Sequence, residues 1–185
     1  MDFLSALWLP ILLSAVIVFI ASSIMHTVLT YHKSDCHQLP EEDKLIAAMH
    51  SAGLQRGFYM FPYCLPKNMK SPAMLEKYKQ GPVGTITVFP TGLPAIPKFM
   101  ALWFGYCLII SLFVAYLTGH TVAHGASYPV VFRVAGTAGF MAYGLGNLAN
   151  SIWKGQPWGM TIKEVIDGLI YGLLTAGVFG WLWPR

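Results

Sequence analysis

The 185-residue chain is too apolar for an ordinary soluble domain. Hydrophobic residues make up 55% of it and charged residues 11%, and its mean hydropathy is +0.54. A soluble domain carries about 25% charged residues. The formal charge of +4 does not indicate a nucleic-acid partner, because eight of the twelve Lys and Arg residues fall in one loop, where they serve as an orientation signal. We therefore expect a single integral membrane domain over residues 1–185, with the lipid bilayer as its partner and no nucleic acid.

Four apolar segments predict transmembrane helices. The first, at about 4–30, has no Lys or Arg before it and exceeds the length of a signal peptide's apolar region, so we expect a retained anchor. The others lie at about 98–118, 129–150 and 162–183, and each is long enough to cross a hydrocarbon core of about 30 Å. The predicted fold class is an all-α membrane protein, a four-transmembrane-helix bundle with a long, partly helical cytoplasmic loop at about 31–97.

Basic residues set the predicted orientation. Eight lie between the first two helices and two between the last two: Lys33, Lys44, Arg56, Lys67, Lys70, Lys77, Lys79 and Lys98, then Lys154 and Lys163. Because Lys and Arg accumulate on the cytoplasmic side, both segments should be cytoplasmic. This places both termini outside the cytoplasm and predicts a multi-pass protein of a bacterial-type inner membrane.

The long loop contains signals for two short helices. Acidic residues precede Lys44–Ser51, and Gly53 follows it; Ser71 and Pro72 begin a second segment that ends before Gly81. Ser at the N-cap, Pro in the first turn and Gly at the end are typical of helix boundaries. The remaining parts, 58–65 and 82–97, are apolar but interrupted by Pro and Gly. We expect them to lie on the membrane surface or to pack over the helices.

Small residues recur every four positions in the last span and form a smooth ridge. The predicted packing residues are Gly168, Gly172, Ala176 and Gly180, faced by Ala138, Ala142 and Gly146 in the third span, with a parallel row of Ala135 and Gly139. Such ridges allow helix backbones to approach closely in lipid. Two interpretations stay open: the two helices pack on each other within one subunit, or one ridge docks onto a different subunit.

Polar side chains within the spans are candidates for function. Asp167 lies about one turn inside the cytoplasmic end of the fourth span, where Asn147 and Asn150 of an antiparallel neighbour would reach a similar depth. Arg133 lies one turn inside the opposite face. These residues are expected to form a structural polar clasp, a proton or ion path, or contacts with lipid headgroups or a partner.

Metal ligands gather at the end of the first span. His26, His32, Asp35, Cys36 and His37 offer imidazole, carboxylate and thiolate groups, which bind zinc, iron or copper. Their spacing matches no established metal motif, so the alternative is a group of juxtamembrane histidines facing lipid phosphates. We find no catalytic residues and no cofactor-binding motif, since a phosphate-binding glycine loop and a nucleophile elbow are both missing from the sequence.

The chain resembles an uncharacterised group of small bacterial integral membrane proteins with four predicted spans. The resemblance covers nearly the whole length and rests on the following stretches: Ser22 through His26 and His32 to Asp35, Gly81–Gly84, Val131–Thr137, Ser151–Trp153, and Asp167–Tyr171 through Trp181–Pro184. It implies a membrane location and implies no activity or cofactor.

These observations favour a non-enzymatic role. The first hypothesis is an accessory or structural subunit of a larger membrane complex or homo-oligomer. The alternative is a metal-binding redox or metal-handling membrane protein that uses the His/Cys cluster. A transporter is a third class, but the chain has neither a detectable repeat nor a pair of broken helices, which are typical of transporters.

Overall fold

The computed structural model describes residues 3–184. Most of these residues are helical, which confirms the predicted all-α class. The helices are α1 (Phe3–Thr27), α2 (Glu42–Ser51), α3 (Pro72–Gln80), α4 (Ile96–Thr121), α5 (Tyr128–Tyr143), α6 (Leu148–Lys154) and α7 (Trp158–Trp181), and the strands are β1 (Gly57–Phe61) and β2 (Gly84–Val88). The two termini, which the sequence places outside the cytoplasm, lie outside the described residues.

The chain divides into two compact units. The helical unit is described over residues 3–35, 95–151 and 156–184, and it contains α1, α4, α5 and α7. The loop unit comprises Cys36–Pro94 and Ile152–Gly155, and it contains α2, α3 and both strands. The single membrane domain expected from composition stays a prediction.

Within the helical unit, α1 packs on α4 and α7, while α5 packs on α4 and α7. The buried residues of α1 and α4 recur at the spacing of three or four that defines one helix face. Several of them are small and polar. Ser14 Oγ of α1 lies 3.0 Å from Ser111 Oγ of α4, and both side chains are fully buried. The small serine side chains let the two backbones come close, and their hydroxyls hydrogen-bond across the interface.

The closest helix contact joins α5 and α7. A Cβ atom on Gly168 would lie 2.3 Å from Gly144 Cα, and one on Gly172 would lie 2.7 Å from Phe140 N. These distances are too short for any side chain, so both positions require glycine. The ridge of Gly168, Gly172, Ala176 and Gly180 therefore faces α5 of the same chain.

The facing row on α5 differs from the first row predicted. Its closest contacts come from Gly136 and Gly139 of α5 and from Gly144 directly after it, next to the buried Ala135. Ala138 is half-buried, whereas Ala142 and Gly146 are exposed, and Gly146 has open space where a side chain would be. The contacting face thus follows the parallel row, because the helix turns its Ala135 and Gly139 side toward α7.

The predicted span at 129–150 is not one continuous α-helix. α5 ends at Tyr143, a 3₁₀ turn covers Leu145–Asn147, and α6 follows. The break falls at Gly144, where the backbone meets Gly168 of α7.

Two of the four predicted spans, α1 and α4, are long and apolar enough to cross a membrane, judged by length and composition alone. α5 has 16 residues, fewer than the roughly 20 that a crossing needs. α7 is longer but carries Lys163, Glu164 and Asp167 in its first half, which lowers its apolar character. The structure therefore supports two candidate spans rather than four.

The loop unit combines two short helices with an antiparallel hairpin. α2 and α3 form where the sequence predicts them, and Ser71 Oγ accepts a hydrogen bond from Met74 N at 3.4 Å as the N-cap of α3. The hairpin pairs Gly57 with Val88 and Phe61 with Gly84. It was not predicted, because its strands are 22 residues apart in sequence (62–83) and each is flanked by proline. Between Cys36 and Pro94, all of which the structure describes, no side chain is buried.

Candidate functional site

A network of charged side chains links the end of α1 to the start of α7. After α1 the chain makes a 3₁₀ turn at Tyr31–Ser34 and reaches Asp35. On α7, Lys163 and Asp167 are four residues apart and so share one helix face. We call Tyr31, His32, Asp35, Lys163 and Asp167 the polar cluster.

His32 is the centre of the polar cluster, because each of its ring nitrogens meets a carboxylate. Nδ1 lies 2.6 Å from Asp35 Oδ2, and Nε2 lies 2.8 Å from Asp167 Oδ2. An ionised carboxylate only accepts hydrogen bonds, so a histidine between two of them donates from both nitrogens when it is protonated. His32 therefore joins two acids that lie more than 130 residues apart in sequence.

Lys163 holds the other side of the polar cluster. Its Nζ donates to Asp35 Oδ1 at 2.6 Å, to the Tyr31 carbonyl oxygen at 2.6 Å and to Ser34 Oγ at 2.8 Å. An ammonium group has three hydrogens, and here each has an acceptor. The 3₁₀ turn is thereby fixed to α7 through side-chain and backbone contacts.

Asp167 is the most deeply placed acid of the polar cluster. Its relative exposure is 3%, and Tyr31 OH donates to its Oδ1 while His32 meets its Oδ2. A buried carboxylate is costly unless it is paired and hydrogen-bonded. Both oxygens of Asp167 have a partner, which accounts for an acid at this depth.

The charges of the polar cluster shift the pKa of its members that lie outside the helices. Burial alone lowers the pKa of His32, but the hydrogen bonds to Asp35 and Asp167 outweigh it and raise that pKa above its usual value. The Lys163 ammonium and then His32 lower the pKa of the Asp35 carboxyl. With His32 and Lys163 charged, two cations balance two carboxylates, so the cluster as a whole is neutral.

His26 extends the polar cluster toward solvent. It belongs to the last turn of α1 and is exposed, and its ring centroid lies 4.3 Å from that of His32. Among residues 3–184, one group of metal-binding side chains is assembled: ligand atoms of His26, His32 and Asp167 lie within 4.8 Å of one another.

The structure divides the five residues predicted as metal ligands. His26, His32 and Asp35 lie at the polar cluster, whereas Cys36 and His37 are exposed residues of the loop unit and are not part of the assembled group. Asp167 was predicted as an intramembrane polar residue beside Asn147 and Asn150. Its carboxylate contacts Tyr31 and His32 instead.

Sequence reasoning missed Tyr31 and Lys163 as cluster members. The four-residue spacing of Lys163 and Asp167 on α7 is the signal that could have found one of them. Two further polar residues named from the sequence, Asn147 and Arg133, lie elsewhere. Asn147 Nδ2 donates to the Tyr143 carbonyl at 3.1 Å, and Arg133 is exposed on α5.

No family, curated protein or solved structure matches this chain.

Proposed function

We propose that the chain is an integral membrane protein of a bacterial-type inner membrane and a non-catalytic accessory subunit of a larger membrane complex. In this proposal α1, α4, α5 with α6, and α7 cross the bilayer as a four-helix bundle, and both termini lie outside the cytoplasm. The helical unit anchors the protein, and the loop unit provides the surface that docks to another subunit.

The exterior of α1 and α4 supports a membrane location. Only 28% of the residues in each apolar window are buried, and large apolar side chains are exposed on both helices, among them Ile20 at 52% and Phe113 at 63% exposure. The interior, by contrast, includes buried hydroxyls at Ser14, Ser111 and Thr118. An apolar exterior around small polar contacts is typical of helices whose solvent is lipid.

Buried Ser and Thr hydroxyls of α1, α4 and α7 donate hydrogen bonds to backbone carbonyls of their own helix, so they need no water. Ser14 Oγ donates to the Pro10 carbonyl at 2.7 Å, Thr118 Oγ1 to the Val114 carbonyl at 2.7 Å, and Thr175 Oγ1 to the Tyr171 carbonyl at 2.8 Å. A hydroxyl that donates to the carbonyl four residues earlier in its own helix is suited to lipid, because lipid offers it no other hydrogen-bond partner.

The observation that carries the accessory role is the missing core of the loop unit. Its helices and hairpin are regular, yet no side chain between Cys36 and Pro94 is buried, and large apolar residues are widely exposed: Phe58 at 58%, Met60 at 52%, Tyr63 at 73% and Phe89 at 76%. Exposed apolar surface on this scale marks an interaction site.

A protein partner fits this surface better than lipid does, because the hairpin offers backbone as well as side chains. β1 pairs with β2 alone among the described strands, so the outer edge of each strand has free N–H and C=O groups. A two-stranded hairpin is marginal by itself, and an added strand from a partner would satisfy one edge. A lipid surface offers no regular row of alternating donors and acceptors at the spacing of a strand.

The partner is tested by purification in mild detergent, followed by native mass spectrometry. A stoichiometric second subunit should accompany the 20.4 kDa chain, and Met60→Lys in β1 should abolish the association while helical circular dichroism is unchanged. Leu75→Lys in α3, which is similarly exposed at 48%, is the matched control outside the hairpin. A chain that always runs alone, or a complex that survives Met60→Lys, would refute the docking role. Association with copies of itself would replace the larger complex by a homo-oligomer.

Orientation is tested by cysteine accessibility in intact cells, with Cys36, Cys64 and Cys107 first replaced by serine. Lys67→Cys should react with a membrane-impermeant thiol reagent only after permeabilisation, and His124→Cys should react at once. Equal reactivity of the two positions in intact cells would remove a crossing from the proposed topology.

A further inference from the structure

Three side chains that carry nitrogen and oxygen ligand atoms converge at the end of α1. We propose that His26, His32 and Asp167 bind one divalent first-row transition-metal ion, with Zn²⁺ as the reference ion, and that Asp35 positions His32 for this purpose. The site goes beyond the accessory role, since a docking subunit needs no metal.

The donor set defines the class of ion. Two imidazole nitrogens and one carboxylate oxygen suit Zn²⁺, Fe²⁺, Co²⁺ and Ni²⁺. Ca²⁺ and Mg²⁺ prefer a shell made of oxygen atoms, and Cu⁺ prefers thiolate or thioether sulfur. Cys36 does not belong to the assembled group, so the ion is not of the thiolate-bound kind that the sequence also allowed.

The distances require only small movements. Metal bonds of about 2.0–2.2 Å separate neighbouring ligand atoms by roughly 3.3 Å in a tetrahedral site. His32 Nε2 and Asp167 Oδ2 are 2.8 Å apart, so they would open by about half an ångström. The His26 ligand atom lies within 4.8 Å of both, and an exposed side chain in the last turn of α1 can rotate to reach the remaining distance.

The surrounding hydrogen bonds orient these ligands. Asp35 Oδ2 accepts a hydrogen bond from the Nδ1–H of His32, which leaves Nε2 for a metal, and Lys163 in turn holds Asp35. Tyr31 OH occupies Asp167 Oδ1 and leaves Oδ2 for the same ion. A carboxylate behind a metal-binding histidine is the usual second layer of such sites.

His26 separates this proposal from a purely structural clasp. The polar cluster makes all of its hydrogen bonds without His26. A purely structural clasp therefore does not explain why this histidine lies beside His32. Its position on the exposed side leaves a fourth coordination position open to solvent. Three protein ligands with one open position are typical of zinc sites that bind water or substrate.

Zinc binding is measured on the detergent-purified full chain after treatment with chelator, by competition with a chromophoric zinc indicator. The wild type should bind one Zn²⁺ per chain, and Co²⁺ in its place should give visible d–d absorption. Asp35→Asn should weaken zinc binding by about 10–100-fold. His26→Ala should weaken it by more than Asp35→Asn, because it removes a ligand.

His26→Ala keeps every hydrogen bond of the polar cluster, so it should fold as the wild type does, with unchanged helical circular dichroism. Cys36→Ala and His50→Ala are controls from the loop unit and should bind zinc with wild-type affinity. Wild-type protein that binds no zinc, His26→Ala with unchanged affinity, or loss of zinc in Cys36→Ala would each overturn the proposed ligand set.

Discussion

The helical unit and the loop unit use similar residues in opposite ways. Both are rich in apolar side chains, but Phe179 of the helical unit is fully buried, whereas Phe89 of the loop unit is 76% exposed. The closest contacts of the helical unit are made by glycine and small hydroxyl residues, and the large side chains fill the space around them. Apolar composition therefore does not determine burial; the presence of a facing layer does.

The loop unit lacks that facing layer. Its two helices have 10 and 9 residues and its strands 5 each, and a domain buries side chains only where one such element covers another. The same difference holds for charge. Asp35 and Asp167 are nearly buried and fully partnered, whereas the ion pair of Glu41 and Lys44 on the loop unit is exposed at both ends.

The largest loss of stability is expected at the contact between α5 and α7, where the helical unit has no room for a side chain. Gly168→Ala would place a methyl group 2.3 Å from the Gly144 backbone, which no side-chain rotation can relieve. We expect a loss of about 3 kcal/mol of stability, at the upper end for overpacking, measured by thermal or denaturant unfolding in detergent.

Gly177→Ala is the matched control on the same helix, since its nearest neighbour is the Tyr128 hydroxyl at 3.8 Å. It should be neutral or slightly stabilising because alanine favours the helix. Equal losses at the two positions would show that the contact with α5 does not set the stability of α7.

The polar cluster should respond more strongly than the exposed ion pair. Lys163→Ala leaves Asp35 Oδ1 and the Tyr31 carbonyl oxygen without their charged donor, and we expect a loss of about 2 kcal/mol, as for a hydrogen bond to a charged group. Lys44→Ala breaks the exposed contact with Glu41 and should change the unfolding free energy by less than about 0.5 kcal/mol. Similar losses in both variants would contradict the contrast between the two units.

Stability should depend on pH through His32 and Asp35 when metal is removed by chelator. The charges that face His32 come from Asp35, Asp167 and Lys163, with His26 and the Tyr31 hydroxyl beside it. Because the pKa of His32 is raised above 6.5, its contribution is present below pH 6.5 and is lost as the pH rises through the folded-state pKa. The pKa of Asp35 is lowered from 3.8, so its contribution is present above pH 3.8 and is lost as the pH falls through the lower value.

The expected decline on the alkaline side is about 1 kcal/mol, the net value of one hydrogen bond. It is measured as the midpoint of thermal unfolding across pH 6–9. His32→Gln should remove most of this slope, and a slope that persists in that variant would assign it to another group.

The smallest effect is expected for large-to-small changes in the loop unit. Ile46→Ala in α2, a residue that is 47% exposed, removes no buried contact and should change stability by less than about 0.5 kcal/mol. Val18→Ala in α1, at 0% exposure, should cost about 1–2 kcal/mol through the cavity it leaves. Unfolding followed by circular dichroism compares the two.

Sequence patterns predicted most of the helices, because the residues that begin, fill and end a helix lie next to one another in the chain. Ser71, Pro72 and Gly81 define α3 locally, and the apolar runs of α1 and α4 need no information from elsewhere. The hairpin could not be found in this way, since the pairing of Gly57 with Val88 depends on residues about 30 positions apart. The break at Gly144 likewise coincides with a contact to Gly168 of α7, which lies too far along the chain for a local pattern to contain it.

The part of the candidate site that comes from neighbouring residues could likewise be predicted from the sequence. His26, His32 and Asp35 stand close together in the chain, so their ligand chemistry was apparent. Cys36 and His37 were included only because they are adjacent in sequence. Asp167 and Lys163 join from α7, and their role depends on packing between distant helices.

The separation of these partners affects how the protein is made. His32 leaves the ribosome 135 residues before Asp167, an interval of roughly 7–27 s at the usual speed of synthesis. During that time His32 and Asp35 have neither Asp167 nor Lys163 to pair with. A chain that ends before Lys163 therefore keeps only the local contact between His32 and Asp35 and never forms the link to α7.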